Sequence, residues 1–126
     1  MYLKGKNMIL IVDDSATNLL LLEVVLREEG YETLTAFNAN EAFKIIKSRK
    51  PKLILLDLMM PEVSGFDFLK KLKDNPNNSD VPVFIISAIG SHDSKTFCLD
   101  HGATEYFEKP IDIQPFVKKV RQYLPL

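Results

Sequence analysis

Short apolar runs alternate with mixed apolar and polar segments along the chain, and this alternation is its clearest structural signal. Apolar or β-branched runs that end at turn-forming positions are typical of buried strands. The predicted strands are residues 8–12, 33–37, 53–56 and 83–86, with a short one at 106–107. Because most of these strands lack a polar face, they predict a parallel sheet that helices cover on both sides.

Helix signals follow the first two strands. Ser15 is a suitable N-cap for a helix that continues to residue 29, and Gly30 is suited to end it. Asn38 or Asn40 is expected to cap a second helix, and Pro51 prevents that helix from continuing far beyond residue 49.

Three further helices are predicted after the remaining strands. The third carries apolar residues at helical spacing, namely Phe66, Phe68, Leu69 and Leu72. Ser91 or Asp93 begins the fourth helix, and Asp112 is expected to cap the fifth. The five strand–helix units predict an α/β fold with a doubly wound, five-stranded parallel sheet and right-handed crossovers.

The composition fits one ordinary globular domain. The chain has 126 residues, of which 46% are hydrophobic and 26% charged, so we expect one domain over residues 1–126, with about the first seven as an N-terminal extension. The net charge of -1 gives no electrostatic reason to expect nucleic-acid binding. The lone Cys98 excludes an intrachain disulfide and fits a cytoplasmic protein, and the apolar run that stops at Asp13 is too short for a signal peptide or membrane span.

Three carboxylates follow two of the predicted strands directly. Asp13 and Asp14 come after the first strand, and Asp57 comes after the third. The carboxyl ends of parallel strands meet at one edge of the sheet, which is where open α/β sheets bind their ligands. Because neighbouring carboxylates repel one another, such a cluster needs protons or a cation, and a hard divalent ion such as Mg²⁺ is the natural occupant.

Two further polar residues lie beyond the other strands at the same predicted edge. Ser87 follows the fourth strand and Lys109 follows the fifth. A cation site, a free carboxylate, a hydroxyl and an ammonium group together suit an anionic phosphoryl group. A carboxylate can attack phosphorus and form an acyl phosphate. The spacing alone does not name the reacting acid, although Asp57 is favoured because its strand is central.

These residues belong to motifs through which the chain resembles the receiver (CheY-like) domain of bacterial two-component response regulators over essentially its full length. The matching motifs are Ile11-Val12-Asp13-Asp14, Asp57-Leu58-Met59-Met60-Pro61 with Gly65, Ser87-Ala88, Gly102-Ala103 and Tyr106-Phe107-Glu108-Lys109-Pro110. The resemblance implies a flavodoxin-like (βα)5 fold with strand order 2-1-3-4-5.

The resemblance also implies roles for the acidic residues and the lysine. Asp57 would be the phosphoacceptor, and the donor would be a phosphohistidine on a histidine kinase or a histidine phosphotransfer protein. Asp14 would ligate Mg²⁺ directly and Asp13 mostly through water, with Asp57 and the backbone carbonyl of Met59 as further ligands. Lys109 would contact the phosphoryl group.

A switch is implied as well. The hydroxyl of Ser87 would move toward the phosphoryl group, and Tyr106 would turn inward when it does so. That change would remodel the surface formed by the fourth helix, the fifth strand and the fifth helix, which could then bind an effector or a second copy of the chain. Lys109-Pro110 would be a cis peptide.

Two of the predicted helices contain more adjacent apolar residues than a single buried helix face can accommodate. Leu19 to Leu22 are consecutive in the first helix, so either Leu21 or Leu22 is expected to face outward as a docking contact for the partner, or simply to be exposed. In the fourth helix we expect Cys98 and Leu99 in the core and Phe97 on an exposed output or dimer surface.

Competing functions fit the residues less well. A flavodoxin-type FMN carrier requires a phosphate-binding loop after the first strand, where the chain has Asp13 and Asp14. A haloacid-dehalogenase-like phosphatase needs a second acid two residues after its nucleophile, where the chain has Met59. A pseudo-receiver that only binds partners is the remaining alternative. We therefore predict a binding and switching protein rather than a turnover enzyme.

Overall fold

The computed structural model describes residues 7–60 and 62–126. Most of the expected N-terminal extension, residues 1–6, lies outside the described residues. The strands are β1 (Met8–Val12), β2 (Glu32–Ala36), β3 (Leu53–Leu56), β4 (Val83–Ser87) and β5 (Glu105–Glu108). The helices are α1 (Ala16–Glu28), α2 (Ala39–Ser48), α3 (Gly65–Asp74), α4 (His92–Asp100) and α5 (Ile113–Tyr123).

All five strands are parallel and lie in the order β2-β1-β3-β4-β5. The predicted doubly wound, flavodoxin-like sheet is therefore confirmed. β2 begins and ends one residue earlier than predicted, which leaves Phe37 beyond the strand with 47% of its surface exposed. β4 extends to Ser87, and β5 gains one residue at each end.

The core consists of two clusters, one on each face of the sheet. Successive residues of a strand point to opposite faces, so Ile9 and Ile11 of β1 pack under α1 and α5, while Leu10 and Val12 pack under α2, α3 and α4. Because both faces are covered, β1, β3 and β4 are buried along their whole length.

The helix starts agree largely with the predicted caps. The side chains of Ser15, Asn38 and Ser91 each accept a backbone N–H of the first helical turn. Asp112 occupies the N-cap position of α5 but makes no side-chain capping hydrogen bond there. At the other end of α1, Gly30 adopts a φ of 101°, a left-handed conformation that glycine accepts without strain.

The structure selects one of the two outward candidates in α1 and corrects the prediction for α4. In α1, Leu22 is buried and Leu21 is 51% exposed, so only Leu21 of the two expected candidates faces outward; Leu20, at 62%, is exposed as well. In α4, Leu99 was expected in the core but is 49% exposed, whereas Phe97 packs partly buried against the cluster under α2, α3 and α4. The buried face of α4 is centred on Ser94 and Cys98, one turn apart, and Leu99 is rotated by about 100° from it.

Within the described part of the chain, no helix combines the length and apolar character that crossing a membrane requires.

Candidate functional site

The register of the sheet brings the acidic residues together. Val12 pairs with Leu56 at the carboxyl ends of β1 and β3, so the residues that follow them are neighbours. The backbone N–H of Asp57 donates to the carbonyl of Val12 at 2.9 Å, and the N–H of Asp13 donates to Ala36 at 3.1 Å. The backbone pairing thus continues one residue past the strands and fixes the main-chain positions of Asp13 and Asp57.

Asp13, Asp14 and Asp57 form one acidic cluster. One carboxylate oxygen from each residue lies within 4.8 Å of the others. Asp13 and Asp57 are buried, at 3% and 5% exposure, while Asp14 is exposed. The cluster therefore opens to solvent on the side of Asp14 and is closed around Asp57.

Lys109 joins the cluster from β5. Its backbone N–H donates to the carbonyl of Ser87 at 2.8 Å, and the cis peptide before Pro110 ends the strand there, as expected. Its ammonium nitrogen lies 3.1 Å from Asp13 Oδ2 and 3.8 Å from Asp57 Oδ1. Lys109 brings one positive charge to a cluster of three carboxylates, so negative charge remains in excess when all are ionised.

Burial is the main influence on the protonation of Asp57. Desolvation and the negative charge of Asp13 raise the pKa of Asp57 from 3.8 to about 6, although the Lys109 ammonium and a hydrogen bond from the Met59 N–H oppose the shift. Near neutral pH this carboxylate is mostly ionised, yet it is poorly solvated. A cation bound nearby would therefore stabilise the ionised form of Asp57, and in that form the carboxylate can act as a nucleophile.

The loop after β3 is held close to the acids. The Met59 N–H donates to Asp57 Oδ1 at 3.3 Å, while the Met59 side chain is 60% exposed. The N–H of Gly65, at the start of α3, donates to the carbonyl of Leu58 at 3.0 Å. A Cβ atom on Gly65 would lie 2.5 Å from the Asp57 carbonyl oxygen and 2.5 Å from Leu58 Cα, so only glycine allows this approach.

Ser87 and Tyr106 meet at the loop between β4 and α4 and not at the acids themselves. Ser87 is fully buried, and its Oγ accepts the backbone N–H of Ile89 at 3.1 Å. The Tyr106 hydroxyl donates to the carbonyl of Ile89 at 2.5 Å. It also lies 3.1 Å from the hydroxyl of Ser94, a residue that the sequence did not single out. In the sequence Ser94 is an ordinary serine near the start of a helix, so no local signal marks it.

An apolar cavity lies beside Lys109. Its volume is 460 Å³, and α1 contributes the exposed Leu21 to its wall, opposite Pro110 and Ile111. Leu20, although more exposed, does not line it. The cavity therefore connects the outward side of α1 with the residues that follow β5.

The acidic cluster fits a hard divalent cation better than any soft metal. All three side chains offer carboxylate oxygens, which are the ligands that Mg²⁺ and Ca²⁺ prefer. Cys98 is buried in the core under α4, away from this cluster. The residues present are thus suited to Mg²⁺ by both charge and ligand type.

The fold and the site together define a class: a flavodoxin-like α/β protein with an acidic site at the carboxyl edge of its sheet. The family follows from comparison with known sequences. The chain belongs to the response regulator receiver domain family, whose family model matches residues 9–121. The resemblance to two-component receiver domains is thereby confirmed.

Relatives of very different lengths are similar to the chain. The phosphate regulon transcriptional regulatory protein PhoB of Pseudomonas aeruginosa is 39% identical over 92% of the chain, but the chain spans only 51% of its length. The response regulator PleD of Caulobacter vibrioides is also 39% identical, and the chain spans 25% of it. Sporulation initiation phosphotransferase F of Bacillus subtilis is 38% identical, with 94% of both proteins covered.

Solved structures share the fold. The chemotaxis protein CheY4 of Vibrio cholerae aligns with a TM-score of 0.86 at 26% identity, covering 93% of this chain and 98% of that one. A response regulator described as putative from Chloroflexus aurantiacus aligns with a TM-score of 0.88 at 31% identity, covering 93% and 96%.

Proposed function

We propose that the chain is a phosphoacceptor domain that receives a phosphoryl group on Asp57 from a phosphohistidine of a histidine kinase or histidine phosphotransfer protein. The observation that carries this proposal is the position of Asp57. It is a buried carboxylate with a raised pKa, next to a second buried acid, Asp13, and 3.8 Å from the ammonium nitrogen of Lys109. Membership of the receiver family supports the same assignment.

The proposed cofactor is Mg²⁺. Asp13, Asp14, Asp57 and the backbone carbonyl of Met59 would hold it, in keeping with the all-oxygen ligand set of the cluster. When bound, the ion supplies positive charge that offsets the repulsion between the acids and an approaching phosphoryl dianion. A bound cation would also balance the negative charge that the single positive charge of Lys109 leaves on the three carboxylates.

In the proposed phosphoryl transfer, the main task of the protein is to position the reacting groups. A carboxylate oxygen of Asp57 forms a bond to phosphorus while the bond from phosphorus to the imidazole nitrogen breaks, and the imidazole keeps the electron pair. The ammonium of Lys109 and the hydroxyl of Ser87 then bind phosphoryl oxygens. The product is an acyl phosphate on the chain, so each molecule ends the reaction modified and the step is signalling rather than turnover.

The proposed output is a change in the surface of α4, β5 and α5. Ser87 reaches Tyr106 through the loop residue Ile89, so movement of the serine hydroxyl would be passed to the tyrosine. The altered surface would bind an effector or a second copy of the chain. Direct nucleic-acid binding is not proposed, because the net charge of -1 gives no support for it.

The extent and setting of the domain are also proposals. Residues 1–126 would form one receiver domain of a cytoplasmic signalling pathway. Relatives in which this domain accounts for nearly all of the protein and relatives in which it is half or less are both similar to the chain.

Intact-mass measurement after incubation with acetyl phosphate tests the function directly. Wild type and Asp57→Asn are compared, each with and without Mg²⁺. We expect one added phosphoryl group that requires Mg²⁺ and that is absent from the variant. A folded wild type that gains no phosphoryl group and binds no Mg²⁺ would contradict the proposal and favour a pseudo-receiver that only binds partners.

A further inference from the structure

A continuous chain of hydrogen bonds leads from the site edge into α4. Ser87 Oγ accepts the Ile89 N–H at 3.1 Å, and the carbonyl of the same residue accepts the Tyr106 hydroxyl at 2.5 Å. A phenol has one proton, and Tyr106 uses it for Ile89, so the Ser94 hydroxyl at 3.1 Å must donate to the tyrosine oxygen. The chain of bonds therefore ends on Ser94.

Ser94 is well placed to act at the end of this chain. It lies in the first turn of α4, where its own N–H donates to the capping side chain of Ser91 at 3.2 Å. It is buried, with 7% of its surface exposed. A hydroxyl in that position is costly to leave unpaired, so its bond to Tyr106 helps to hold the tyrosine ring against the β4–α4 loop.

The bonds define which hydrogen-bonding role the Ser87 hydroxyl has in this loop. Because Ser87 Oγ accepts the Ile89 amide proton, the proton of the serine hydroxyl remains free for donation to an oxygen acceptor at Asp57. Tyr106 holds the opposite side of the same peptide segment. Whatever stabilises this loop conformation thus stabilises the arrangement in which Ser87 can donate.

We infer that Ser94 is a positioning residue of the switch: its hydroxyl fixes Tyr106 on Ile89 and so couples the start of α4 to the state of Ser87. The inference rests on the proposed phosphorylation of Asp57. Coupling is reciprocal, so a residue that stabilises the donating form of Ser87 must also raise the affinity of the site for a phosphoryl group.

Binding of beryllium trifluoride, which mimics a phosphoryl group on a carboxylate, tests this inference by calorimetry in the presence of Mg²⁺. Ser94→Ala is expected to weaken binding about fivefold, the equivalent of about 1 kcal/mol for one net hydrogen bond. Ser94→Thr keeps the hydroxyl and should restore most of the affinity. Thr96→Ala is the matched control, since Thr96 is exposed on α4 and its hydroxyl lies near only His92 of the same helix, at 3.4 Å.

A double-mutant cycle separates coupling from stability. Tyr106→Phe removes the tyrosine hydroxyl, and with it both the hydrogen bond from Ser94 and the hydrogen bond to Ile89. Because Ser94 then has no hydroxyl partner at position 106, the double variant with Ser94→Ala should bind beryllium trifluoride no more weakly than Tyr106→Phe alone. Should Ser94→Ala fail to fold, a loss of affinity in Tyr106→Phe remains the required result. The free energy of unfolding is measured for every variant without the ligand.

The outcomes distinguish the two proposals. A Ser94→Ala protein that is less stable but binds beryllium trifluoride as tightly as wild type would show that Ser94 is merely structural, while the proposed function would stand. A wild type that does not bind the ligand, or that binds it equally well as Asp57→Asn, would overturn both. Additive losses in the double variant would overturn the coupling between Ser94 and Tyr106.

Discussion

Lys109 forms its closer ion pair with Asp13, at 3.1 Å between Nζ and Oδ2, and lies farther from Asp57, at 3.8 Å. Lys109 therefore neutralises Asp13 more strongly than the proposed phosphoacceptor, Asp57. Burial and the negative charge of Asp13 keep the pKa of Asp57 raised, at about 6, despite the positive charge nearby. The proposed reacting carboxylate is the less compensated of the two buried acids.

This imbalance predicts that Asp57→Asn stabilises the metal-free protein above pH 6. A folded-state pKa raised from 3.8 to about 6 means that the folded form binds the proton more tightly, so stability present below pH 3.8 is lost as the pH rises through 6. The variant lacks this loss, so its free energy of unfolding should exceed that of wild type by about 2 kcal/mol at pH 8. Urea denaturation in a chelator at several pH values measures the difference.

The same experiment has an internal check. The advantage of the variant should shrink below pH 6 and vanish near pH 4, where wild-type Asp57 is increasingly protonated. Asp14→Asn removes a charge from the exposed member of the cluster and should give a smaller gain because water screens that group. A gain for Asp57→Asn that did not change with pH would contradict the electrostatic explanation.

Gly65→Ala is predicted to cost about 1 to 3 kcal/mol of stability, the range for overpacking a tight site. Its methyl group would lie 2.5 Å from backbone atoms of Asp57 and Leu58. The backbone at the end of a paired strand cannot shift without moving the adjacent strand as well, so this clash is not easily relieved. We also expect weaker Mg²⁺ binding, because the loop that carries Asp57 is displaced. Thermal unfolding and Mg²⁺ titration measure the two effects.

Gly90→Ala is the matched control for that substitution. Its methyl group would also have a contact at 2.5 Å, but with the carboxylate of Glu108, the far end of a flexible side chain. It should therefore cost much less stability. Equal losses in the two variants would mean that the close approach at Gly65 is not what requires glycine there.

The lifetime of the acyl phosphate is predicted to be long. Met59 and Ile89 are two residues beyond Asp57 and Ser87, and neither offers a side-chain polar group that could position an attacking water. Met59→Asn should speed the loss of the phosphoryl group about tenfold, the equivalent of about 1.4 kcal/mol of activation free energy. Loss of label from purified, phosphorylated protein is the measurement.

Met59→Leu controls for the change of side chain without adding polarity and should leave the rate unchanged. Ile89→Glu tests the second position and should also shorten the lifetime. Rapid loss of label from wild type, with no acceleration in either polar variant, would rule out apolar shielding as the explanation.

Leu21→Glu should weaken phosphoryl transfer from the cognate histidine donor about tenfold, the effect of removing one central interface contact. Leu21 is 51% exposed and lines the cavity beside Lys109, so a partner that delivers a phosphoryl group to the acids would cover it. Phosphorylation by acetyl phosphate should proceed at the wild-type rate. Leu20→Glu, which adds the same charge outside the cavity, should impair transfer less. If Leu21→Glu slowed phosphorylation by the histidine donor and by acetyl phosphate equally, the docking contact would be refuted.

The fold and the acidic edge could be predicted because they depend on local signals. Asp13 and Asp57 directly follow apolar runs, and parallel pairing alone brings such residues together. The orientations of Phe97 and Leu99 were wrong because consecutive apolar residues give a helix no unique buried face, and only packing decides it. Ser94 could not be found, since its partner Tyr106 is distant in sequence and a serine near a cap is ordinary.

Residues 59 and 89 both reach the site through main-chain atoms. The Met59 N–H binds Asp57, and the N–H and carbonyl of Ile89 bind Ser87 and Tyr106. Such bonds are available to any non-proline residue, whatever its side chain. Under the proposed function, exchanging the side chains at these two positions would change how long a signal lasts and would leave the main-chain contacts in place. The duration of the signal and the response to it would then depend on different atoms of the same residues.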